Sequence, residues 1–333
     1  MGSVMFFYVD LLSLHIRYHR VSPPCGLEIV HYIHSSCICM YLRTPCITIY
    51  HAFVCYARSD HVDRTLPAPS TMASTLEKQL TAALRSREVR HIRRSLPPSA
   101  DTVLVDFSSN DYLSLSKSPE LRTRFLEKLG RAEQILGSGG SRLLINGSAH
   151  VDLEDRLRVF FDPRPAPAQL DALLFNSGFD ANVGLFACVP QAGDFIVYDE
   201  YIHASVHDGM KISRARSIPF KHNSVGDLEK ILVGLKIGRP GLEGGSGSVF
   251  IAVESLYSMD GTVSPLDDIV RVAESVFPRR NAYVSVDEAH STGVYGLNGR
   301  GLVNMLGLQG RVFARLHTFG KALAGTGGEW RSF

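Results

Sequence analysis

Four side chains near the end of this 333-residue chain have the types and spacing that do chemistry. Residues 282–293 read Ala-Tyr-Val-Ser-Val-Asp287-Glu-Ala-His290-Ser-Thr-Gly. Further on, Arg-Val-Phe-Ala-Arg-Leu-His-Thr318-Phe-Gly-Lys321-Ala ends on a hydroxyl and an amine, with Lys321 placed 34 positions after Asp287. A lysine amine condenses with carbonyl carbons, and a carboxylate can keep a heteroaromatic nitrogen protonated. Held together, the two are what pyridoxal phosphate requires. Each half alone leaves other readings open. A strand-end Asp-Glu-Ala-His also serves as a metal site or as an ordinary hydrogen-bonded polar end, and most lysines after strands are structural.

To act together, these groups must be delivered to one edge of a sheet. Both segments are β-branched and aromatic runs that end on polar residues, as buried parallel strands do at their carboxyl ends. The chain before them supplies the rest of such a sheet. Residues 170–175 read as a strand, and Ser177-Gly178-Phe179-Asp-Ala-Asn182 turns into a helix running to about Val189. Free N–H groups and the positive dipole end at that turn suit a phosphate, although an ordinary loop reads the same way. Phe195–Tyr198 is the next strand, and Asp199-Glu-Tyr-Ile-His203-Ala-Ser205 opens the next helix, where an imidazole can stack on a flat ring. A helix over 224–235 and a Gly-rich connection over 238–248 follow, the latter expected to be a mobile surface segment without function. Residues 249–253 form a strand leading into Glu254-Ser-Leu-Tyr257-Ser258-Met-Asp260-Gly, and 265–276 a helix. The alternation of strands and helices predicts an α/β fold, a mainly parallel sheet with helices on both faces.

The upstream half differs. Residues 73–94 carry Leu76, Leu80, Ala83 and Leu84 at helical spacing, closed by Pro97-Pro98. Residues 103–107 read as a strand, followed by Ser108-Ser-Asn110-Asp-Tyr112-Leu. The run Gly137-Ser-Gly-Gly-Ser-Arg142 reads as a flexible turn, and residues 151–161 as a helix stopped by the Pro-rich 163–167. Residues 1–71 contain no lysine yet hold five of the six cysteines, six of the thirteen histidines and six of the twelve tyrosines. Cys25, Cys37, Cys39, Cys46 and Cys55 are odd in number and match no zinc-binding spacing. No run there approaches the roughly 18 uninterrupted apolar residues of a membrane span. Three readings are open for this atypical leader: an organelle leader, a genuine extra segment, or translated non-coding sequence, the last favoured because Met72 opens a normal helical pattern. The segment is expected to be disordered or not native. A formal net charge of +2 gives no electrostatic reason to expect nucleic acid or an anionic membrane.

Taken in order, Ser-Gly-Phe-Asp-Ala-Asn, Asp-Glu-Tyr-Ile-His-Ala-Ser, Tyr-Ser-Met-Asp-Gly, Asp-Glu-Ala-His-Ser-Thr-Gly and His-Thr-Phe-Gly-Lys-Ala resemble the α-oxoamine synthases, pyridoxal-phosphate enzymes of fold type I. The resemblance runs from about Met72 to Gly328. It implies an amino-terminal helical arm and first strand over 72–110 and a cofactor-binding large domain over 111–328. By resemblance, Lys321 carries pyridoxal 5'-phosphate and moves the substrate's α-proton, and Asp287 pairs with the ring nitrogen. His290 and Ser258 lie near the phenolic oxygen, His203 stacks on the ring, and Gly178, Phe179 and Thr318 hold the phosphate. Arg93 and Asn110 fall near the substrate. No metal is expected.

The implied reaction condenses a small amino acid with an acyl-CoA and releases carbon dioxide, in a homodimer within the cell, whether cytoplasmic, mitochondrial or peroxisomal. Another enzyme of the same cofactor, such as an aminotransferase or a glycine C-acetyltransferase, and a non-catalytic partner subunit or fragment are the alternatives. Residues 329–333 leave the family's pattern, and the small carboxyl-terminal domain that the resemblance implies is expected to be missing. Removing residues 1–71 is expected to leave the soluble yield of the remaining chain equal or better; loss of folding on deletion would make the segment integral.

Overall fold

Strands such as Val249–Glu254 and Ala282–Asp287 are buried along almost their whole length, so each must be covered on both faces. The computed structural model describes residues 28–34, 37–43, 48–49, 74–96, 105–133, 135, 139–164 and 171–332. The chain divides into two units, Met1–Ala100 and Asp101–Phe333. Met72, Pro97-Pro98, Val103-Leu104, Gly137-Ser138 and residues 165–167, all used in the sequence reading, lie outside the described residues.

In the first unit, β1 (Glu28–His34), β2 (Cys37–Arg43) and β3 (Thr48–Ile49) form an antiparallel sheet in that order. Its physical basis is local: Glu-Ile-Val-His-Tyr-Ile-His and Cys-Ile-Cys-Met-Tyr-Leu-Arg are dense in β-branched and aromatic residues. Helix α1 (Thr75–Val89) begins at a capping box, in which Ser74 Oγ accepts from the Glu77 N–H and Glu77 Oε2 accepts from the Ser74 N–H.

The second unit carries α2 (Pro119–Arg131), α3 (Ser148–Phe161), β4 (Asp171–Phe175), α4 (Gly178–Cys188), β5 (Phe195–Asp199), α5 (Ala204–Ile212), β6 (Arg216–Phe220), α6 (Val225–Lys236), α7 (Pro240–Gly244), β7 (Val249–Glu254), α8 (Leu266–Val276), β8 (Ala282–Asp287), α9 (Leu302–Met305), β9 (Ala314–Thr318) and β10 (Gly328–Ser332). Seven strands form one sheet in the order β4-β10-β9-β8-β7-β5-β6. The β9-β8-β7-β5-β6 pairs are parallel, and β10 runs antiparallel to both its neighbours. The α/β architecture is the one expected. Period-two alternation sorts the strands' side chains into two cores. Val249, Ile251, Val253, Val284 and Val286 pack with α6 and α8, whereas Phe250, Ala252, Ala314 and Leu316 pack with α4 and α5. Helix α8 shows why: Leu266, Ile269, Val270, Ala273 and Val276 make one apolar stripe, all buried.

Three readings are corrected. Residues 105–107 form no strand; the Asp106 carboxylate accepts from the Ser108 and Ser109 N–H groups, a local turn that competes with a ladder. The Gly-rich connection contains α7, whose Leu242 is driven into the core. Finally, residues 329–332, set apart as a tail, belong to β10 in the interior of the sheet, with Trp330 packed on Phe186.

Truncating Leu232, fully buried on α6, should cost about 2–5 kcal/mol. Val233→Ala on the exposed side of the same helix should stay within about 0.5 kcal/mol. Urea denaturation of both variants checks the assignment of the two faces.

Candidate active site

In the seven-stranded sheet every strand but β10 points its carboxyl end to one edge, so Phe175, Asp199, Glu254, Asp287 and Thr318 end there together. That edge is where open α/β sheets build their sites. In the β7/β8 ladder Glu254 lies opposite Asp287, so two carboxyls stand side by side, both buried.

Asp287 is fixed by two donors. Its Oδ2 accepts from Asn182 Nδ2 at 2.8 Å and its Oδ1 from the Ala289 N–H at 2.9 Å. Asn182 also donates to Ser205 Oγ at 2.9 Å, and that hydroxyl contacts His203 Nδ1 at 2.7 Å. His203 caps α5, accepting from the Ser205 N–H, and presents its ring edge-on to Phe179. A single network thus joins β8, α4 and the start of α5.

A second chain of contacts reaches Lys321. Its Nζ lies 2.9 Å from His290 Nε2, and His290 Nδ1 lies 2.7 Å from the Tyr112 hydroxyl. Tyr112 donates in turn to Asn110 Oδ1 at 3.0 Å. Asn110, Tyr112, Ser258 and His290 line a cavity of about 390 Å³, together with Leu256 and Tyr295. The Asp-Glu-Ala-His turn can approach the lysine turn because Gly293, at φ +82°, has no Cβ. One built there would come within 3.0 Å of Ala322 Cβ.

At the start of α4, Ser177 caps the helix by accepting from the Asp180 N–H, leaving the first turn's remaining N–H groups without intrahelical acceptors. A Cβ on Gly178 would lie 3.1 Å from the Thr318 side chain, so this glycine lets the helix start sit against the end of β9.

The structure therefore brings together Gly178, Phe179, His203, Asp287, His290, Thr318 and Lys321 at one sheet edge, with Asn110 and Ser258 on the adjoining cavity. Arg93 belongs to the first unit, where it donates to Glu88 Oε2 at 3.0 Å. Sequence reasoning passed over Asn182, Ser205, Glu254 and Tyr112. The first three stand inside motifs it quoted and could have been flagged as polar residues at strand and helix ends. Tyr112 carries no local signal.

Burial dominates the electrostatics. It drives the Glu254 carboxyl up to about 9, the Asp287 charge adds to this, and Lys321 and the His203 N–H oppose it. Burial and then the Lys321 charge push His290 down to about 4, so the imidazole is neutral near pH 7. Burial also lowers Lys321, against the pull of Asp287 and Glu254. An amine beside an imidazole, with a fixed carboxyl on the neighbouring strand, can form a carbonyl adduct and pass protons.

Residues 102–329 match the family described as aminotransferase class I and II, and the chain belongs to this family. It is 50% identical over 258 residues to 8-amino-7-oxononanoate synthase of Emericella nidulans, covering 76% of this chain and 60% of that protein. Serine palmitoyltransferase of Sphingomonas wittichii superimposes with a TM-score of 0.63 at 28% identity, over 78% of this chain and 64% of that one. For 8-amino-7-oxononanoate synthase of Francisella tularensis the TM-score is 0.53 at 29% identity, over 69% and 58%. The chain thus spans about three fifths of the length of the relatives it matches.

The Glu254 carboxyl gives a testable pH dependence. From its ordinary 4.5 to about 9, the folded chain keeps a proton there that the unfolded chain has lost, so this group's contribution to stability falls as pH rises through that window. One such proton is worth about 1.4 kcal/mol per pH unit. Melting temperatures of Glu254→Gln should fall less steeply than those of the parent chain from about pH 6 to about pH 9. Parallel profiles would mean that Glu254 is ionised in the fold.

Proposed function

We propose that this chain binds pyridoxal 5'-phosphate at Lys321. On this reading it forms the cofactor site of an α-oxoamine synthase that joins a small amino acid to the acyl group of an acyl-CoA with loss of carbon dioxide. The observation that carries this reading is the half-buried Lys321 amine, 2.9 Å from His290, on the strand-end turn beside the clamped Asp287. The 50% identity to the Emericella protein favours alanine and pimeloyl-CoA, and hence 8-amino-7-oxononanoate as product, over other members of the class.

The donor set fits the cofactor. A carboxylate has about four lone-pair sites, so the two donors on Asp287 orient it and leave room for a ring N–H. The helix start at Gly178 and Phe179, with the Thr318 hydroxyl against it, suits a phosphate. His203 has its ring held by Ser205 and would stack on the cofactor; His290 and Ser258, both on the cavity wall, would meet its phenolic oxygen. When bound, the cofactor's protonated ring draws electrons from the bonds at the substrate's α-carbon.

Lys321 then has two tasks, holding the cofactor and taking the α-carbon proton onto Nζ. Burial serves the second by lowering its proton affinity toward working pH. Asn110 on the cavity wall is the candidate to hold substrate. A second copy of the chain is the partner that best accounts for Leu121, Phe125, Leu126, Leu143 and Leu144, all exposed in the second unit.

The test is spectroscopic. Full-length chain given pyridoxal phosphate should develop a visible absorbance band that Lys321→Ala abolishes and Asp287→Ala weakens. An unchanged band in the lysine variant would remove the assignment.

A further inference from the structure

We propose that Tyr112 is a positioning residue for Lys321: through His290 it sets which imidazole nitrogen faces the amine, and its phenol is the exit by which the Lys321 proton reaches the cavity. The inference rests on the reading of Lys321 as the reactive amine. It goes beyond that reading in adding a residue and a proton path.

The direction of the hydrogen bonds follows from what each atom can do. The Asn110 amide oxygen only accepts, so the single Tyr112 hydroxyl hydrogen is committed to it at 3.0 Å. The phenol oxygen is then an acceptor, and its other partner, His290 Nδ1 at 2.7 Å, must be the donor. A neutral imidazole carries one hydrogen, which leaves Nε2 bare, 2.9 Å from Lys321 Nζ. A bare nitrogen at that distance accepts from the lysine and favours its charged form. Burial and the Lys321 charge keep the imidazole itself neutral, as this direction requires. The other charged or titratable groups facing the pair are Asp287 and Glu254 about Lys321, and Asp287 and His203 about His290.

The same chain can run one step in balance. Lys321 passes a proton to His290 Nε2, Nδ1 passes its hydrogen to the Tyr112 oxygen, and the phenol releases its original hydrogen to water in the cavity. The result is a neutral amine, an imidazole protonated at Nε2, and a Tyr112 hydroxyl now donating to Nδ1. One proton leaves and no charge is stranded. Tyr112 suits the task because it lines the cavity and is 46% exposed, so solvent reaches its oxygen. Asn110 is the acceptor that holds the resting direction, and it loses that bond when the phenol gives up its original hydrogen.

Tyr112→Phe removes the acceptor for Nδ1–H while keeping the ring. The imidazole should then turn its N–H toward Lys321, and the amine should lose its proton more readily. The experiment uses the full chain without cofactor. Lys321 reactivity toward acetic anhydride is followed against pH by peptide mass spectrometry, and the His290 tautomer is read by ¹⁵N NMR, assigned by loss of its signals in His290→Gln. The expected result is a Lys321 midpoint lower by about one pH unit in Tyr112→Phe, equivalent to roughly tenfold faster labelling near neutrality, with the His290 hydrogen moved from Nδ1 to Nε2. Should Tyr112→Phe not fold, Asn110→Ala, which frees the phenol to donate to Nδ1, should move both readouts in the same direction. Identical labelling profiles and tautomers in the parent and a folded variant would overturn the proposal, as would a bare Nδ1 in the parent chain. Neither readout needs cofactor, so absence of the visible band on adding pyridoxal phosphate would count against the cofactor reading alone.

Discussion

The sheet edge is organised by the need to keep the Asp287 carboxyl buried and oriented. A carboxyl withdrawn from water must find donors within the protein or neutralise. Asp287 finds one in its own turn, the Ala289 N–H, and one on a helix, Asn182. The second fixes how α4 lies on the sheet, since Asn182 must face β8 while Gly178 abuts Thr318. The ladder places Glu254 beside Asp287, where two bare charges would repel. Holding Glu254 protonated removes that repulsion.

The opposite face of β9 and β10 is polar in a different way. Arg315, His317, Glu329 and Arg331 all point there and are fully buried. Helix α3 covers them: Phe161 stacks on His317 with ring centroids 3.8 Å apart, and Arg331 donates to the carbonyls of Leu157 and Arg158. Thr292 contacts His317 Nδ1 at 2.9 Å, tying this layer to the turn that carries His290. The strand that reverses direction is therefore anchored by charge-assisted contacts, whereas β7 and β8 are anchored by aliphatic packing. Glu288 bridges the layers, its Oε1 accepting from the Val303 N–H that begins α9.

Much of this was legible in the sequence where the signal is local. Buried strands ending in polar residues read correctly at β5, β7, β8 and β9, and the helix read over 265–276 is α8. The residues brought to the sheet edge were nearly all visible as motif ends, because a parallel strand's last residues face the same edge whatever its neighbours are. Residues 105–107 show the limit of such reading: a strand was expected there, but the Asp106 carboxylate accepts from the Ser108 and Ser109 N–H groups and closes a local turn instead.

What the tertiary structure alone decided is pairing across distance. Tyr112 meets His290 across 178 positions, and nothing near either residue marks the other. Trp330 and Arg331 gave no pattern as a tail, yet between β4 and β9 they complete the sheet. Periodicity and propensity report how a segment lies relative to its own axis. They carry no information on which segment lies beside it, and register, reversal of a strand and the partner of a buried hydroxyl are all set by that neighbour.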